Sequence, residues 1–324
     1  MRDSSRWPIP DWAMDMLACP TCKGNLSTNI ERFLCPKCGQ VGIWKDGILR
    51  FSINEADPSI SWYTAKNGTQ FQERAKLPFT MSSLDTLVYH SYLERIKPAN
   101  TDSVIVDVGA GDGRNTEPWL RWGYKHIVAI DPVLSSLKRF QSLMYGSHPE
   151  WIAQCLLIQG EARHIPIASQ KADLVFAIES LYYLSENYEL GLAECGRVIK
   201  NGGLFLTSER AWEGALLSQL LYGGVQNMIM LHHDRYMLEG LLDNRVRLRT
   251  FTEDELLSII KDAGLVSVEI KGISVLSVVL GYLRGQGKIS IEDEKYIPEV
   301  INLLQDLMDK NTTRRTHIVL ARKE

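Results

Sequence analysis

The chain lacks a basic excess: 324 residues carry 36 lysines and arginines against 39 acidic residues, a formal charge of −3 and a pI near 6.2. That balance speaks against a protein whose whole surface neutralises phosphates, while leaving room for a local basic patch. Apolar runs approaching the ~20 residues of a membrane span are also missing. The longest candidate, "ISVLSVVLGYL" at 273–283, reads as a buried or lid helix. The opening "MRDSSRWPIPDWAMDM" has no apolar signal core followed by a small-residue cleavage site, so the expected compartment is the cytoplasm, with no membrane partner. Low complexity is absent as well. With 45% hydrophobic and 23% charged residues there is a core to bury, and the length predicts two units, one smaller than the other.

Cysteine is scarce, six residues, and its placement is uneven. Cys155 and Cys195 stand alone in apolar surroundings and read as core residues. Cys19, Cys22, Cys35 and Cys38 form two Cys-x-x-Cys pairs in "CPTCKGNLSTNIERFLCPKC". Two such knuckles place four thiolates around one tetrahedral zinc ion, whereas redox chemistry asks for a single pair in a thioredoxin-like setting. Gly24 and Asn25 after the first pair, Gly39 after the second, and Pro20 and Pro36 within them supply the turns. Four thiolates leave no open coordination position, so the metal is expected to be structural. "VGIWKDGILRF" follows, with a hairpin turn at Asp46-Gly47.

A different signal begins at residue 103. "SVIVDVGAGDG" is a β-branched run entering a glycine turn, the shape that lets a ligand approach backbone N–H groups closely. The nicotinamide-dinucleotide fingerprint would need a third glycine at 114, where the chain has arginine. "HIVAIDP" ends in Asp131, a carboxylate placed to accept both hydroxyls of a ribose, and "CLLIQGEA" reaches Glu161. "ADLVFAIESLYYL" and "KNGGLFLTSE" add two more strands, each separated from the last by a helical stretch or connection. Strand–helix alternation predicts an α/β fold, a doubly wound parallel sheet with ligands at the carboxyl ends of its strands.

In order and spacing, "VDVGAGDGR", "AIDP", "GEARHIPI", "DLVFAIESLYYL" and "RVIKNGGLFLTS" resemble class I S-adenosylmethionine-dependent methyltransferases over about residues 100–210. Residues 17–51 likewise resemble zinc ribbons that accompany certain methyltransferases, fused or as partner subunits. The resemblance implies a Rossmann-like, seven-stranded sheet whose last strand, "RTHIVLARK", inserts antiparallel. It divides the chain into a zinc ribbon (1–54), a lid or linker (55–98) and a methyltransferase domain (99–324) with helical lid insertions at about 209–250 and 274–312. It also implies roles. Asp107 with Gly109, Ala110, Gly111 and Gly113 would hold the methionine end of S-adenosylmethionine, Asp131 and Pro132 the ribose side, and Glu161 with Ala162 the adenine. Ile178, Glu179 and Ser180 would face the sulfonium and the acceptor. The family often has aspartate where Glu161 stands.

Outside the common sheet the signals thin out. Tyr63, Tyr89, His90 and Tyr92 are candidates for the acceptor side, although "LVYHSYLERI" also has helical spacing. His232 and His233 in "LHHDRY" are the candidate catalytic bases, since imidazole titrates near neutrality. Arg245, Arg247 and Arg249 alternate in "NRVRLR", as an anion clamp or a salt-bridged edge. The segment 274–312 is expected to form a lid or a homodimer surface. "TFTEDELLSIIKDAG" predicts a helix opened by a Thr252–Glu255 capping box and closed at Gly264. The expected activity is methyl transfer to a small polar metabolite. RNA methylation with the ribbon as reader, or a non-catalytic partner role, are the alternatives. The ribbon's five basic residues, Lys23, Arg32, Lys37, Lys45 and Arg50, and the lack of an (Asn/Asp)-Pro-Pro-(Tyr/Phe) motif speak against base-amino chemistry on RNA.

Overall fold

The computed structural model describes residues 9–29, 31–65, 81–241, 244–308 and 313–324. Seven strands form the expected doubly wound sheet: β5 (Val104–Val108), β6 (His126–Asp131), β7 (Cys155–Gln159), β8 (Ala172–Ile178), β9 (Ile199–Arg210), β12 (Leu265–Ser274) and β13 (Arg314–Lys323). Their spatial order is β7-β6-β5-β8-β9-β13-β12. β5 through β9 run parallel, and β13 enters antiparallel between β9 and β12. β-branched alternation explains the burial: on β5, Ile105 faces one core while Val106 and Val108 face the other. Both faces are thereby covered, as a parallel sheet requires.

The strand count differs from the expected seven. Four short ribbon strands, β1 (Ser27–Asn29), β2 (Arg32–Leu34), β3 (Val41–Lys45) and β4 (Ile48–Arg50), continue the same sheet beyond β7 to make eleven. β4 pairs parallel with β7 through Leu49 and Arg50. The reason is apolar: Ile48 and Leu49 are fully buried and feed opposite cores. On the other side of the ribbon, Ala18 N–H donates to Pro166 O (3.2 Å), and Lys23 Nζ reaches Glu194 Oε2 (2.6 Å).

The insertions are placed as follows. The capping box at Thr252 and Glu255 is present and Gly264 takes a positive φ just past the helix Glu253–Asp262. The helices Leu276–Gly285 and Ile297–Met308 pack against the helix Met81–Arg95. The helix Trp212–Asp234, kinked at Gly224, precedes a hairpin of β10 (Tyr236–Leu241) and β11 (Asn244–Arg249). Residues 66–80 of the first expected lid segment, and the Arg245 side chain, lie outside the described residues. No described helix is long and apolar enough to cross a membrane.

Candidate active-site cleft

A cleft opens at the carboxyl ends of β5 to β9. Its first wall is the loop after β5. Gly109 and Ala110 N–H both donate to Ile130 O (2.8 and 3.0 Å), and Gly111 N–H donates to Asp131 Oδ2 (2.8 Å). Gly109 has φ +84, and a Cβ there would overlap the Ser180 side chain, so the loop needs glycine both for its conformation and for its approach to the end of β8. Ser180 Oγ donates to Val108 O (2.7 Å) and closes that approach.

Asp131 ends β6 and lines the cleft, its other oxygen accepting Val133 N–H (2.8 Å). Burial pushes its carboxyl up to about 6 against the pull of the Val133 and Gly111 N–H groups. Asp107 sits behind the loop, 2% exposed, and accepts from Thr116 Oγ1 (2.6 Å); burial pushes it up to about 7. Of the expected cofactor residues, Gly109, Ala110, Gly111, Asp131, Pro132, Glu161, Ala162, Ile178, Glu179 and Ser180 line the cleft, whereas Asp107 and Gly113 stand behind its wall.

Glu161 is tied to the ribbon side. Its Oε1 accepts Asn54 N–H (2.6 Å), and its Oε2 pairs with Arg163 (2.5 Å), which also reaches Asp57 Oδ2 (3.1 Å). Asp57 in turn caps the helix Pro58–Ala65 by accepting Ser59 N–H (3.0 Å). That helix delivers Ile60 and Tyr63 to the cleft. The chain leaving β4 thus builds a wall directly.

The opposite half lies at the ends of β8 and β9. Glu179 is held at φ +54, rare for a residue with a Cβ, by its N–H bond to Ser208 Oγ (2.8 Å). Its carboxylate meets Arg114 (3.0 Å), Arg315 (3.4 Å) and the Tyr89 hydroxyl (3.4 Å). Burial would raise Glu179, but the guanidiniums of Arg114, Arg210 and Arg315 prevail and draw it down to about 2. Arg315 is itself buried against Asp85. Three tyrosines complete this half: Tyr63 and Tyr183 meet edge to face at 5.0 Å, and Tyr182 lies 4.7 Å from Tyr183.

Other sequence candidates lie elsewhere. His232 and His233 are exposed near the end of the long helix, in ring contact with each other (5.4 Å) and, for His232, with Trp212 (5.7 Å); neither lines the cleft. The described lining of the cleft includes neither of them, and their helix leaves both exposed near its C-terminal end. Arg247 and Arg249 pair with Glu186 (2.8 Å) and Glu189 (2.7 Å), the salt-bridged edge of the two readings. Tyr92 bonds Glu269 (2.5 Å) and His90 bonds Arg114 O (3.0 Å). Arg114, Arg163 and Arg210 were not singled out as site residues by sequence. Only their positions at a strand end (Arg210), a few residues beyond one (Arg163) or just after a glycine turn (Arg114) could have signalled them.

The cysteine ligand set is assembled. The four Sγ atoms lie within 4.8 Å of one another, with Cys19–Cys38 and Cys22–Cys35 at 3.4 Å. Four thiolates converging on one point fit a structural tetrahedral zinc ion.

Residues 106–207 match the family model described as a methyltransferase domain. Over 106 residues the chain is 33% identical to the malonyl-[acyl-carrier protein] O-methyltransferase of Xylella fastidiosa (strain M23), covering 32% of this chain and 34% of that protein. Over 120 residues it is 26% identical to the dimethylglycine N-methyltransferase of Parasynechococcus marenigrum (strain WH8102), covering 37% of this chain and 42% of that protein. The chain therefore spans only a third to two-fifths of the curated relatives it matches. Among solved structures, the CcbJ methyltransferase from Streptomyces caelestis superposes with a TM-score of 0.51 at 14% identity, over 78% of this chain and 98% of that one. A Listeria monocytogenes protein assigned as an S-adenosylmethionine-dependent methyltransferase gives 0.53 at 13%, over 75% and 99%. The fold is that of the solved S-adenosylmethionine-dependent methyltransferases, and residues 106–207, about a third of the chain, match the methyltransferase-domain model.

The cleft residues fit that cofactor. A glycine loop held at positive φ, with Gly109 closed to a Cβ by Ser180, beside a strand-end carboxylate that lines the cleft, fits a ligand with a charged amino-acid end and a vicinal diol.

Proposed function

We propose that the protein binds S-adenosylmethionine in this cleft and transfers its methyl group to a small polar metabolite. The observation that carries the reading is the division of one cleft into two chemically distinct halves. Asp131 and the glycine loop line one; Tyr63, Tyr182, Tyr183, Glu179 and Arg210 line the other. Bound there, the cofactor supplies a methyl group on a sulfonium: an acceptor lone pair forms the new bond to carbon, and the carbon–sulfur electron pair remains on a neutral thioether. Asp107 supports the loop from behind, Asp131 accepts hydroxyl hydrogen bonds, Ala162 offers apolar surface to a flat base, and Ile178 faces the sulfonium. The tyrosines limit water on the acceptor side and orient the acceptor for in-line displacement.

The cleft favours acceptors that arrive with a free lone pair. Glu179, drawn down to about 2, is a weak proton acceptor, and burial pushes Tyr63, Tyr182 and Tyr183 above the ordinary phenol range. No histidine lines the cleft among the described residues. A carboxylate or a neutral amine meets the requirement without a general base, in keeping with the acid and amine named in the two curated relatives. An RNA substrate read by the ribbon gains less support, since Lys23 is committed to Glu194 and Arg50 to Asp46.

The test is incubation with methyl-labelled S-adenosylmethionine and a metabolite extract beside an RNA fraction. Label in compounds of low mass supports the proposal, and label confined to RNA overturns it.

A further inference from the structure

Among the arginines lining the cleft, Arg139 stands on the Asp131 side with its Nη2 on Ser136 Oγ (2.9 Å), and Arg210 stands in the acceptor half apart from any close carboxylate of the described residues. It ends β9, in the acceptor half, and its side chain is 16% exposed and lines the cavity. Arg114 has Glu179 at 3.0 Å, Arg163 has Glu161 and Asp57 at 2.5 and 3.1 Å, and Arg315 is buried against Asp85. Among the described residues the nearest carboxylate to Arg210 is Glu239 on β10, at 4.0 Å, beyond hydrogen-bond reach. Arg210 Nε and Glu239 Oε2 are both buried without a hydrogen-bond partner among the described residues. A buried N–H of a guanidinium left unpaired is costly. Its orientation is nonetheless fixed, because the guanidinium lies over the Tyr182 ring at 5.0 Å.

An oriented guanidinium with an unused donor, beside a tyrosine wall, is the complement of an oxyanion attached to an apolar or aromatic body. We propose that the methyl acceptor carries such an oxyanion, a carboxylate or a phosphate monoester, seated on Arg210 with its carbon skeleton against Tyr63, Tyr182 and Tyr183. This rests on the small-molecule reading above and narrows it to anionic acceptors. A cationic group, or a neutral one without an acceptor oxygen, would leave the Arg210 donor unpaired, and a neutral carbonyl would satisfy it without the charge assistance that an oxyanion supplies. Glu179 makes its hydrogen bonds to Arg114 and Arg315 and acts on Arg210 through its charge alone.

The experiment is calorimetric titration of the full chain, saturated with S-adenosylhomocysteine, with three matched probes: benzoate, phenyl phosphate and benzamide. At least one of the two anions should bind about tenfold or more tightly than benzamide, the factor expected for a hydrogen bond to a charged group. Arg210→Met should abolish that preference with S-adenosylhomocysteine affinity unchanged, and Arg210→Lys should keep part of it. Which anion binds better distinguishes a carboxylate from a phosphate acceptor. Benzamide binding as tightly as both anions, or an anion preference that survives Arg210→Met, overturns the inference. Failure of wild type to bind S-adenosylhomocysteine would instead sink the cofactor reading, and the anion preference would then be read by the same titration without it.

Discussion

Removing the metal from the four cysteines should unfold the ribbon tip and leave the cleft standing. The described residues of 19–45 bury few large apolar side chains: β1 is exposed throughout, β2 buries only Phe33, and Leu26 and Trp44 are half-covered. Burying Phe33 contributes about 1.5–3 kcal/mol, roughly what ordering two residues of backbone costs. Without a cation to hold the thiolates together, this segment has no comparable source of order. β4 is different. Ile48, Leu49 and Phe51 are at most 4% exposed and pack into the domain cores. Together they contribute about 5–9 kcal/mol, and Phe51 N–H also donates to Gln159 O (3.0 Å). The boundary between melted and retained chain should therefore fall near the Asp46-Gly47 turn. Hydrogen exchange with and without a strong zinc chelator would show protection lost over 19–45 and kept in β4 to β9, with about one zinc released per chain. Unchanged protection over 19–45, or loss across the whole sheet in the same step, would refute the reasoning.

Gly113→Ala should destabilise the domain by about 2–5 kcal/mol, combining a left-handed backbone penalty with overpacking, because Gly113 has φ +86 and a Cβ would overlap the Phe140 ring; a melting curve within about 1 kcal/mol of wild type would contradict this. Burial pushes Glu209 up to about 8, so the folded state holds a proton there that the unfolded chain releases nearer pH 4. That contribution is complete below the unfolded value and is lost as pH rises through about 8. Glu209→Gln should flatten the fall in melting temperature between pH 5 and 8, and an equally steep fall in the variant would count against it. For binding, the sign comes from Asp131, raised to about 6: cofactor affinity should weaken as pH drops through 6 and the carboxylate protonates. A pH-independent dissociation constant from pH 5 to 8 would argue that Asp131 makes no ionised contact.

The parallel sheet was legible because its signals are local. "SVIVDVGAGDG" carries a strand, a turn and a close approach in eleven residues, and the glycine loop stands where the motif predicts. The extension of the sheet by the ribbon was not legible, since Leu49 meeting Ile158 is a pairing across more than a hundred residues that no spacing encodes. The acceptor half was read least well. His232 and His233 drew attention through their chemistry, yet both are exposed and neither lines the cleft. Arg210 and Arg163 attracted none, because an arginine after a strand looks like any solvated residue until its partners are known. Tyr63 was visible as a candidate, and the Asp57-capped helix explains how it reaches the cleft.

The most direct test of the central claim is calorimetric titration of S-adenosylmethionine into the wild-type chain and into Asp131→Ala. The account predicts one site per chain, weakened about tenfold or more in the variant by loss of hydrogen bonds to a charged group, with the same far-ultraviolet dichroism. Equal affinity in the two proteins, or no binding to wild type, would contradict it.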